Sequence, residues 1–188
     1  MQQLTDDMQR QQAFMALLEP IQQMLERYCI HMTSDRDEAL DLMQDAIVLA
    51  WNHFDTIRDR GAFKSYIFTI TTNTYRRKFV RTKFFGLYND DLVETLASST
   101  PSPDVLTDHE ILRKALLSLP PAYREALIHY EVNDMSVAEI QKIQGGTISG
   151  VKVRLMRARR KLAALVGVVM EAPERDSAKE APSSTPLL

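Results

Sequence analysis

The most concentrated chemistry in this sequence is positive charge, gathered in two short stretches. Six of the ten residues from Lys152 to Lys161 are cationic, and none is acidic. A second run without acids, from Tyr75 to Lys83, carries Arg76, Arg77, Lys78, Arg81 and Lys83. Guanidinium and ammonium groups bind phosphates, and Arg and Lys also hydrogen-bond the edges of bases. The sequence therefore offers two candidate nucleic-acid-binding surfaces, although its formal net charge is -2.

Acidic residues separate the two basic stretches. Residues 86–109 contain no Lys or Arg, and their acids are Asp90, Asp91, Glu94, Asp104 and Asp108. This basic–acidic–basic order explains why the net charge is small. Segregated charge of this kind usually reports on binding partners rather than on fold.

Residues suited to catalysis or metal binding are sparse. His31, His53, His109 and His129 are scattered without metal-ligand spacing, and no glycine-rich phosphate loop is present. The single cysteine, Cys29, lies on or beside an apolar helix face, which favours a buried structural thiol over a nucleophile. We expect no enzyme activity, no metal and no cofactor. One cysteine, a polar N-terminus and no apolar run of membrane-spanning length predict a cytoplasmic protein without membrane insertion.

Apolar spacing predicts three helices in the first half. One covers residues 12–32, and a second follows Asp35, which forms a capping-box pattern with Glu38. The third runs from about Ala62 to Thr82. Its sequence is rich in β-branched residues, so a strand competes there, but the apolar spacing is closer to 3.6 than to 2.

The second half predicts shorter helices. Pro120 and Pro121 end one helix and start the next. Ser136 and Glu139 form another capping box, and the glycines at 145 and 146 end that short helix. We therefore predict an all-α fold of two small helical domains, joined by a flexible acidic linker, with a helix-turn-helix in the second domain. The boundaries are a flexible N-terminus at 1–11, the first domain at 12–85, the linker at 86–109, the second domain at 110–168 and a disordered tail at 169–188.

The last predicted helix carries the denser basic stretch. In DNA-binding helix-turn-helix domains the second helix enters the major groove. The apolar positions fall on one stripe, and the opposite side carries Ser149, Lys152, Val153, Met156, Arg157 and Arg160. Such a helix could dock on DNA, or it could be a solvated basic helix end. The aromatics of the first basic stretch could stack on exposed bases, or they could belong to the core.

Three stretches resemble the extracytoplasmic-function sigma factors of the sigma-70 family. Residues 37–51, "DEALDLMQDAIVLAW", are similar to region 2.2 of that family. Residues 62–79, "AFKSYIFTITTNTYRRKF", are similar to regions 2.3–2.4. Residues 112–162 are similar to region 4, including its LP, RE and K-x-R-x-x-R-A-R elements. The resemblance covers about residues 12–166 and occurs in the family's order.

The resemblance implies a factor that binds core RNA polymerase and directs it to promoter DNA. It assigns polymerase binding to Asp37, Asp41, Gln44 and Asp45. It assigns the −10 element to the loop from Asn52 to Ala62 and the following helix, through Asp59, Arg60, Phe63, Asn73, Arg76, Arg77 and Lys78. It assigns the −35 element to Ser149, Lys152, Val153, Arg154, Met156, Arg157 and Arg160. An anti-sigma factor is a further expected partner, and the acidic linker would thread the polymerase channels.

Several positions depart from the family pattern. Tyr66 replaces a common Trp, and Thr69 and Thr72 replace frequent Arg residues. Gly150 and Val153 stand where hydroxyl residues are usual, and Gln141 and Lys142 alter the usual EIA run. These departures bear on the promoter sequence rather than on the class of protein.

Two other functions compete with a sigma factor. A sigma mimic would sequester an anti-sigma factor without touching DNA, and it would not need the two basic stretches. A stand-alone helix-turn-helix repressor would not need the acidic face of the first domain. Because this sequence keeps both features, the sigma factor is the preferred interpretation.

Overall fold

The structure, a computed structural model, describes residues 2–84 and 108–167, and within these ranges it is helical with no strand. The predicted all-α class is therefore confirmed. Most of the predicted linker at 86–109 lies outside the described residues, and so does the predicted tail at 169–188. The helices are α1 Gln2–Leu18, α2 Gln22–Met32, α3 Arg36–Asn52, α4 Phe63–Phe84, α5 Asp108–Leu117, α6 Pro121–Leu127, α7 Val137–Gln144 and α8 Ile148–Val166.

The N-terminal part of the chain differs from its prediction in two ways. Helix α1 begins at Gln2, so it includes residues 2–11 of the segment that was expected to precede the first helix. The guanidinium of Arg10 donates to the Trp51 carbonyl at 2.9 Å and forms an ion pair with Asp55. A 3₁₀ turn at Glu19–Ile21 then separates α1 from α2. Pro20 lacks a backbone N–H, which explains why the predicted helix at 12–32 is interrupted there.

Helices α1 to α4 form the first half around an aromatic centre. The ring of Phe14 makes edge-to-face contacts with Trp51, Phe54 and Phe63 at centroid distances of 5.2–5.5 Å. Helix α3 begins as predicted, because the Asp35 carboxylate accepts from the backbone N–H of Glu38 at 2.8 Å. These contacts hold α3 and α4 side by side.

Helix α4 settles the competition between helix and strand. It is helical from Phe63 to Phe84. Thr69 and Thr71 donate their hydroxyls to carbonyls one turn earlier, at 2.7 and 2.8 Å. Thr72 shares a 2.8 Å hydrogen bond with the Tyr28 hydroxyl of α2. Tertiary packing and satisfied hydroxyls thus override the weak helical propensity of the β-branched run.

The second half contains the predicted helix-turn-helix. Ser136 and Glu139 make both hydrogen bonds of the capping box at the start of α7. Gly145 and Gly146 have φ of 75° and 84°, a region that side chains with a Cβ rarely adopt, so these glycines make the sharp turn possible. Thr147 caps α8 by accepting from the backbone N–H of Gly150 at 3.0 Å.

The two helical halves share one continuous buried core. Arg124 of α6 is 4% exposed and donates to the Met32 carbonyl of α2 and to the Tyr75 hydroxyl of α4, at 2.7 and 2.9 Å. Lys64 of α4 forms an ion pair with Glu139 of α7 at 2.8 Å. The structure is therefore a packed arrangement of the two predicted regions.

Candidate nucleic-acid and polymerase interfaces

Helix α8 presents its cationic face to solvent. Val151, Leu155 and Ala158 are buried on the opposite stripe, as predicted. Val153 and Met156 are exposed despite being apolar, at 41% and 44%. The exposed side consists of Ser149, Lys152, Val153, Met156, Arg157 and Arg160. One helix therefore offers cations, a hydroxyl and two apolar groups on a single accessible surface.

The side chain of Arg154 on α8 is held by Gln144 at the end of α7. Its Nη1 donates to the Gln144 Oε1 at 2.6 Å. The same amide donates from Nε2 to the Ala122 carbonyl at 3.1 Å and to the Glu125 carboxylate at 3.0 Å. Beside it an open concavity of about 400 Å³ is lined by Tyr123, Ser149, Gly150, Val153, Arg154 and Arg157.

The cations of α4 are divided between solvent and the second half. Asn73, Arg77 and Lys78 are exposed, and Lys78 forms an ion pair with Asp45 at 2.7 Å. Arg76 is directed into the protein, where it forms two hydrogen bonds with Glu125. The side chains of Arg81 and Lys83 lie outside the described residues.

Of the aromatic residues near these cations, Tyr75 and Phe79 pack with the core, whereas the side chains of Phe84 and Phe85 lie outside the described residues. Tyr75 is 8% exposed, and its ring stacks on that of the half-buried Phe79 with centroids 6.1 Å apart. The alternative in which these rings are structural is therefore favoured in this arrangement.

The loop before α4 holds the other residues assigned to the −10 element. Asp59 accepts from the backbone N–H of Gly61 at 2.8 Å, and Arg60 lies over the ring of Phe54 at 3.7 Å from its centroid. Both side chains belong to exposed residues. Phe63 is 2% exposed and packs against Phe14, so its assignment to a DNA-contacting surface is corrected. Its apolar ring fills the aromatic centre of the first half.

The acidic face predicted on α3 is present. Asp37, Asp41, Gln44 and Asp45 are exposed at steps of one, three and four residues. The other side of the helix is fully packed, with Leu42 and Ala46 at 1% and 0% exposure. A helix anchored in this way provides a rigid support for an acidic surface.

Burial and hydrogen-bond partners shift the pKa values of several ionisable groups between the two halves. Burial, followed by the nearby charge of Lys64, lowers the pKa of His129 to about 3. Burial alone would raise the pKa of Glu139, but hydrogen bonds from Lys64 and Ser136 outweigh it and lower that pKa. The hydrogen bonds from Arg76 to Glu125 raise the pKa of Arg76. Arg76 and Glu139 are thus held charged, whereas His129 is held neutral.

Sequence reasoning missed the residues that join the halves. Arg124 and Glu125 were noted only as the RE element of the region 4 resemblance, without a structural role, and Gln144 was not singled out. Arg124 and Glu125 stand within an otherwise apolar run. Charged residues at such positions are a signal for burial with a specific partner. The partner itself is distant in sequence, since Arg76 and Glu125 are 49 residues apart. Among the described residues, no group of three His, Cys, Asp or Glu side chains could hold a metal. No described helix is long and apolar enough to cross a membrane.

Comparisons with known proteins match both halves. The profile of Sigma-70 region 2 matches residues 17–84, and that of Sigma-70 region 4 matches residues 109–162. The sigma factor SigM of Bacillus subtilis is 30% identical over 142 residues, which cover 74% of this chain and 86% of SigM. The sigma factor CnrH of Cupriavidus metallidurans is 31% identical over 137 residues, covering 67% and 72%.

A solved structure agrees with these sequence matches. The sigma factor RpoE of Bartonella quintana, crystallised with the anti-sigma factor NepR, superposes with a TM-score of 0.60 at 26% identity. The match covers 80% of this chain and 94% of RpoE. Two helical regions in this order, the second with a helix-turn-helix, define an RNA polymerase sigma factor. The chain belongs to the sigma-70 family, in its extracytoplasmic-function group.

Proposed function

We propose that this sigma factor binds the −35 element through α8, the −10 element through α4 and the preceding loop, and core RNA polymerase through α3. The observation that carries the proposal is the two-sided character of α8. One side is locked into the core by Val151, Leu155 and Ala158, and the other side is exposed and cationic. A helix supported in this way can enter a major groove without unfolding its own domain.

The exposed side of α8 supports direct reading of bases. Arg157 and Lys152 can hydrogen-bond guanine edges or pair with phosphates, and Arg160 lies one turn further along. Val153 and Met156 are apolar and exposed, which suits contact with thymine methyl groups. We assign Ser149 and Arg154 to the same surface.

The −10 assignment rests on exposed residues of α4 and of the loop before it, together with Arg76. Asn73, Arg77 and Lys78 form an exposed polar edge of α4, and Asp59 and Arg60 lie on the exposed loop before it. Arg76 joins this surface only when it leaves Glu125. Phe63 is not part of the proposed surface.

The polymerase assignment rests on charge and rigidity. Asp37, Asp41, Gln44 and Asp45 form an exposed acidic face on α3. Complementary charge accelerates association and selects partners. We also propose an anti-sigma protein as a regulatory partner, because RpoE, which superposes on this chain, was solved bound to such a factor. The proposed place of action is the cytoplasm, with the polymerase.

Transcription of fragmented genomic DNA from the source bacterium tests this proposal. Purified chain is mixed with core polymerase, and the starts of the transcripts are sequenced. We expect starts that share −35 and −10 motifs and that depend on the chain. Binding to duplex DNA without polymerase-dependent transcription would favour the repressor. Absence of both, with tight binding to an anti-sigma protein, would favour the mimic.

A further inference from the structure

Glu125 is a fully buried carboxylate shared by both halves of the protein. It is 0% exposed. From the first half, Arg76 donates to it from Nε at 3.0 Å and from Nη2 at 2.6 Å. From the second half, the Gln144 amide donates to it at 3.0 Å. One carboxylate therefore fixes a cation of α4 and an amide of the helix-turn-helix.

The hydrogen bonds continue from Glu125 to the surface of α8. Because Nε2 of Gln144 donates to Glu125 and to the Ala122 carbonyl, the amide has one orientation. Its oxygen then faces Arg154, which donates to it at 2.6 Å. The chain Arg76–Glu125–Gln144–Arg154 thus connects a residue proposed for the −10 element with one proposed for the −35 element.

The negative charge of Glu125 makes this series of hydrogen bonds important for the contact between the two halves. A buried carboxylate without a cation is strongly unfavourable, whereas one held by a bidentate guanidinium is tolerated. In this arrangement Arg76 is the cation in direct contact with Glu125. While its guanidinium is bound to Glu125, Arg76 is engaged with the second half, so it becomes available to DNA only when this contact opens.

We propose that Glu125 is a positioning residue shared by the two DNA-binding surfaces. Its carboxylate holds Arg76 against the second half, and through Gln144 it orients Arg154 on α8. The assignment of these two surfaces rests on the proposed function. The ion pair between Lys64 and Glu139 holds the same two halves together at a second point.

A distance measurement on the full chain tests whether Glu125 holds Arg76 against the second half. Cysteines introduced at Gln23 and Lys161, both exposed, carry a fluorophore pair, and Cys29 is retained because it is 1% exposed. Glu125→Gln removes the charge but keeps an oxygen that accepts from Gln144. We expect the ratio of separated to packed molecules to rise about tenfold. The matched control is Glu131→Gln, which removes an exposed carboxylate paired with Arg159 and leaves the ratio unchanged.

A double-mutant cycle separates this role from a general loss of structure. Arg76→Gln removes the other partner at a half-exposed position, and it keeps the test valid if Glu125→Gln fails to fold. The effects of the two substitutions should not add, because each removes the same contact. Three results would each overturn the proposal that Glu125 holds Arg76 against the second half. They are additive effects of the two substitutions, an unchanged ratio in Glu125→Gln or Arg76→Gln, and separated halves in the parent.

Base preference tests the second part of the proposal. Gln144→Met keeps the length of the side chain and removes its hydrogen bonds. We expect it to relax the same position of the −35 motif that Arg154→Met relaxes. A relaxed position in Arg154→Met with none in Gln144→Met would overturn the positioning of Arg154. If the parent drives no transcription, the proposed function fails, and this part fails with it. The distance measurement, which uses no DNA or polymerase, still decides the hold on Arg76.

Discussion

The imidazole of His129 stacks on the phenol ring of Tyr28, with ring centroids 4.6 Å apart and an angle of 6° between the planes. Tyr28 belongs to α2 of the first half, whereas His129 belongs to the second. Phe68 of α4 makes an edge-to-face contact with the His129 ring, with centroids 5.4 Å apart. Neither ring nitrogen of His129 has a hydrogen-bond partner within the described residues. The contact between the halves therefore contains a neutral, fully buried imidazole.

This imidazole makes stability depend on pH. Burial and the charge of Lys64 lower the pKa of His129 to about 3, whereas in the unfolded chain it is about 6.5. Between these values the unfolded chain binds a proton that the folded chain does not. The contribution is therefore fully present above about pH 6.5 and is lost as the pH falls, at about 1.4 kcal/mol per pH unit.

Urea unfolding at pH 7.0 and 5.5 measures this dependence. We expect the parent to lose about 1.4 kcal/mol more than His129→Leu, which keeps the bulk and cannot be protonated. The control His53→Leu, at an exposed position, should retain the parent's dependence. The pKa of His31 is lowered first by burial and then by Arg113, and its contribution to the pH dependence of stability is the same in all three proteins. An equal loss in His129→Leu and the parent would contradict the prediction.

Arg124 should be indispensable for joining the two halves. Its guanidinium donates to the Tyr75 hydroxyl and to four backbone carbonyls. The carbonyls belong to Met32, Leu116, Leu117 and Leu119. Arg124→Lys keeps the charge but cannot reach this set of acceptors. We expect a loss of about 3 kcal/mol or more, because each buried acceptor left without a donor costs about 1 kcal/mol or more. Chemical denaturation measures it, with exposed Arg27→Lys as the control; a loss below about 1 kcal/mol would be incompatible with this network.

Arg157→Ala should weaken recognition of the −35 element. If Arg157 contacts a base, the substitution costs about 1–3 kcal/mol and relaxes the preference at one position of the motif. Transcription from promoters that vary at each −35 position measures both effects. Arg113→Ala removes an exposed cation from α5 and serves as the control. Unchanged output across the −35 variants would remove Arg157 from the proposed surface.

Asp41→Lys should impair binding to core polymerase while leaving the fold intact. Asp41 is exposed on α3, so reversing its charge disturbs the proposed acidic interface without disturbing the core. We expect slower association, with a dissociation constant about tenfold higher at low salt and a smaller difference at high salt. Fluorescence anisotropy with labelled chain measures this. Asp6→Lys, on the exposed side of α1, should behave like the parent, and equal affinities for both variants would argue against the α3 face.

Cys29 should be unreactive in the folded protein. It is 1% exposed, and burial, followed by the charge of Glu26, raises its pKa to about 12. Because the thiolate is the reactive form, a thiol reagent should react at least about a hundredfold faster after unfolding in urea. A spectrophotometric thiol assay gives both rates. Rapid reaction without urea would show that α2 is not packed as described.

Much of the fold could be predicted because helix signals are local. The capping residues Asp35 and Ser136 and the two turn glycines stand beside the helices that they begin or end. Apolar spacing placed Val151, Leu155 and Ala158 on the buried stripe of α8 correctly, since the period depends on the geometry of the helix itself. It also placed Leu165 on that stripe, but Leu165 is 49% exposed near the end of the helix. The start of α1 was mistaken because residues 2–11 lack an apolar period, and Arg10 ties them to α3 through tertiary contacts.

The sequence predicted the types of residue in the candidate site, but not which of them are buried or bound to another part of the protein. The sequence by itself determined two cation-bearing helical regions and the faces of their helices, because charge and periodicity are written along the chain. Only the tertiary structure decided that Phe63 lies in the core, that Arg76 is engaged by Glu125, and that Arg154 is held by Gln144. Those outcomes depend on partners brought together by folding, and a buried charge is tolerated only where such a partner is present.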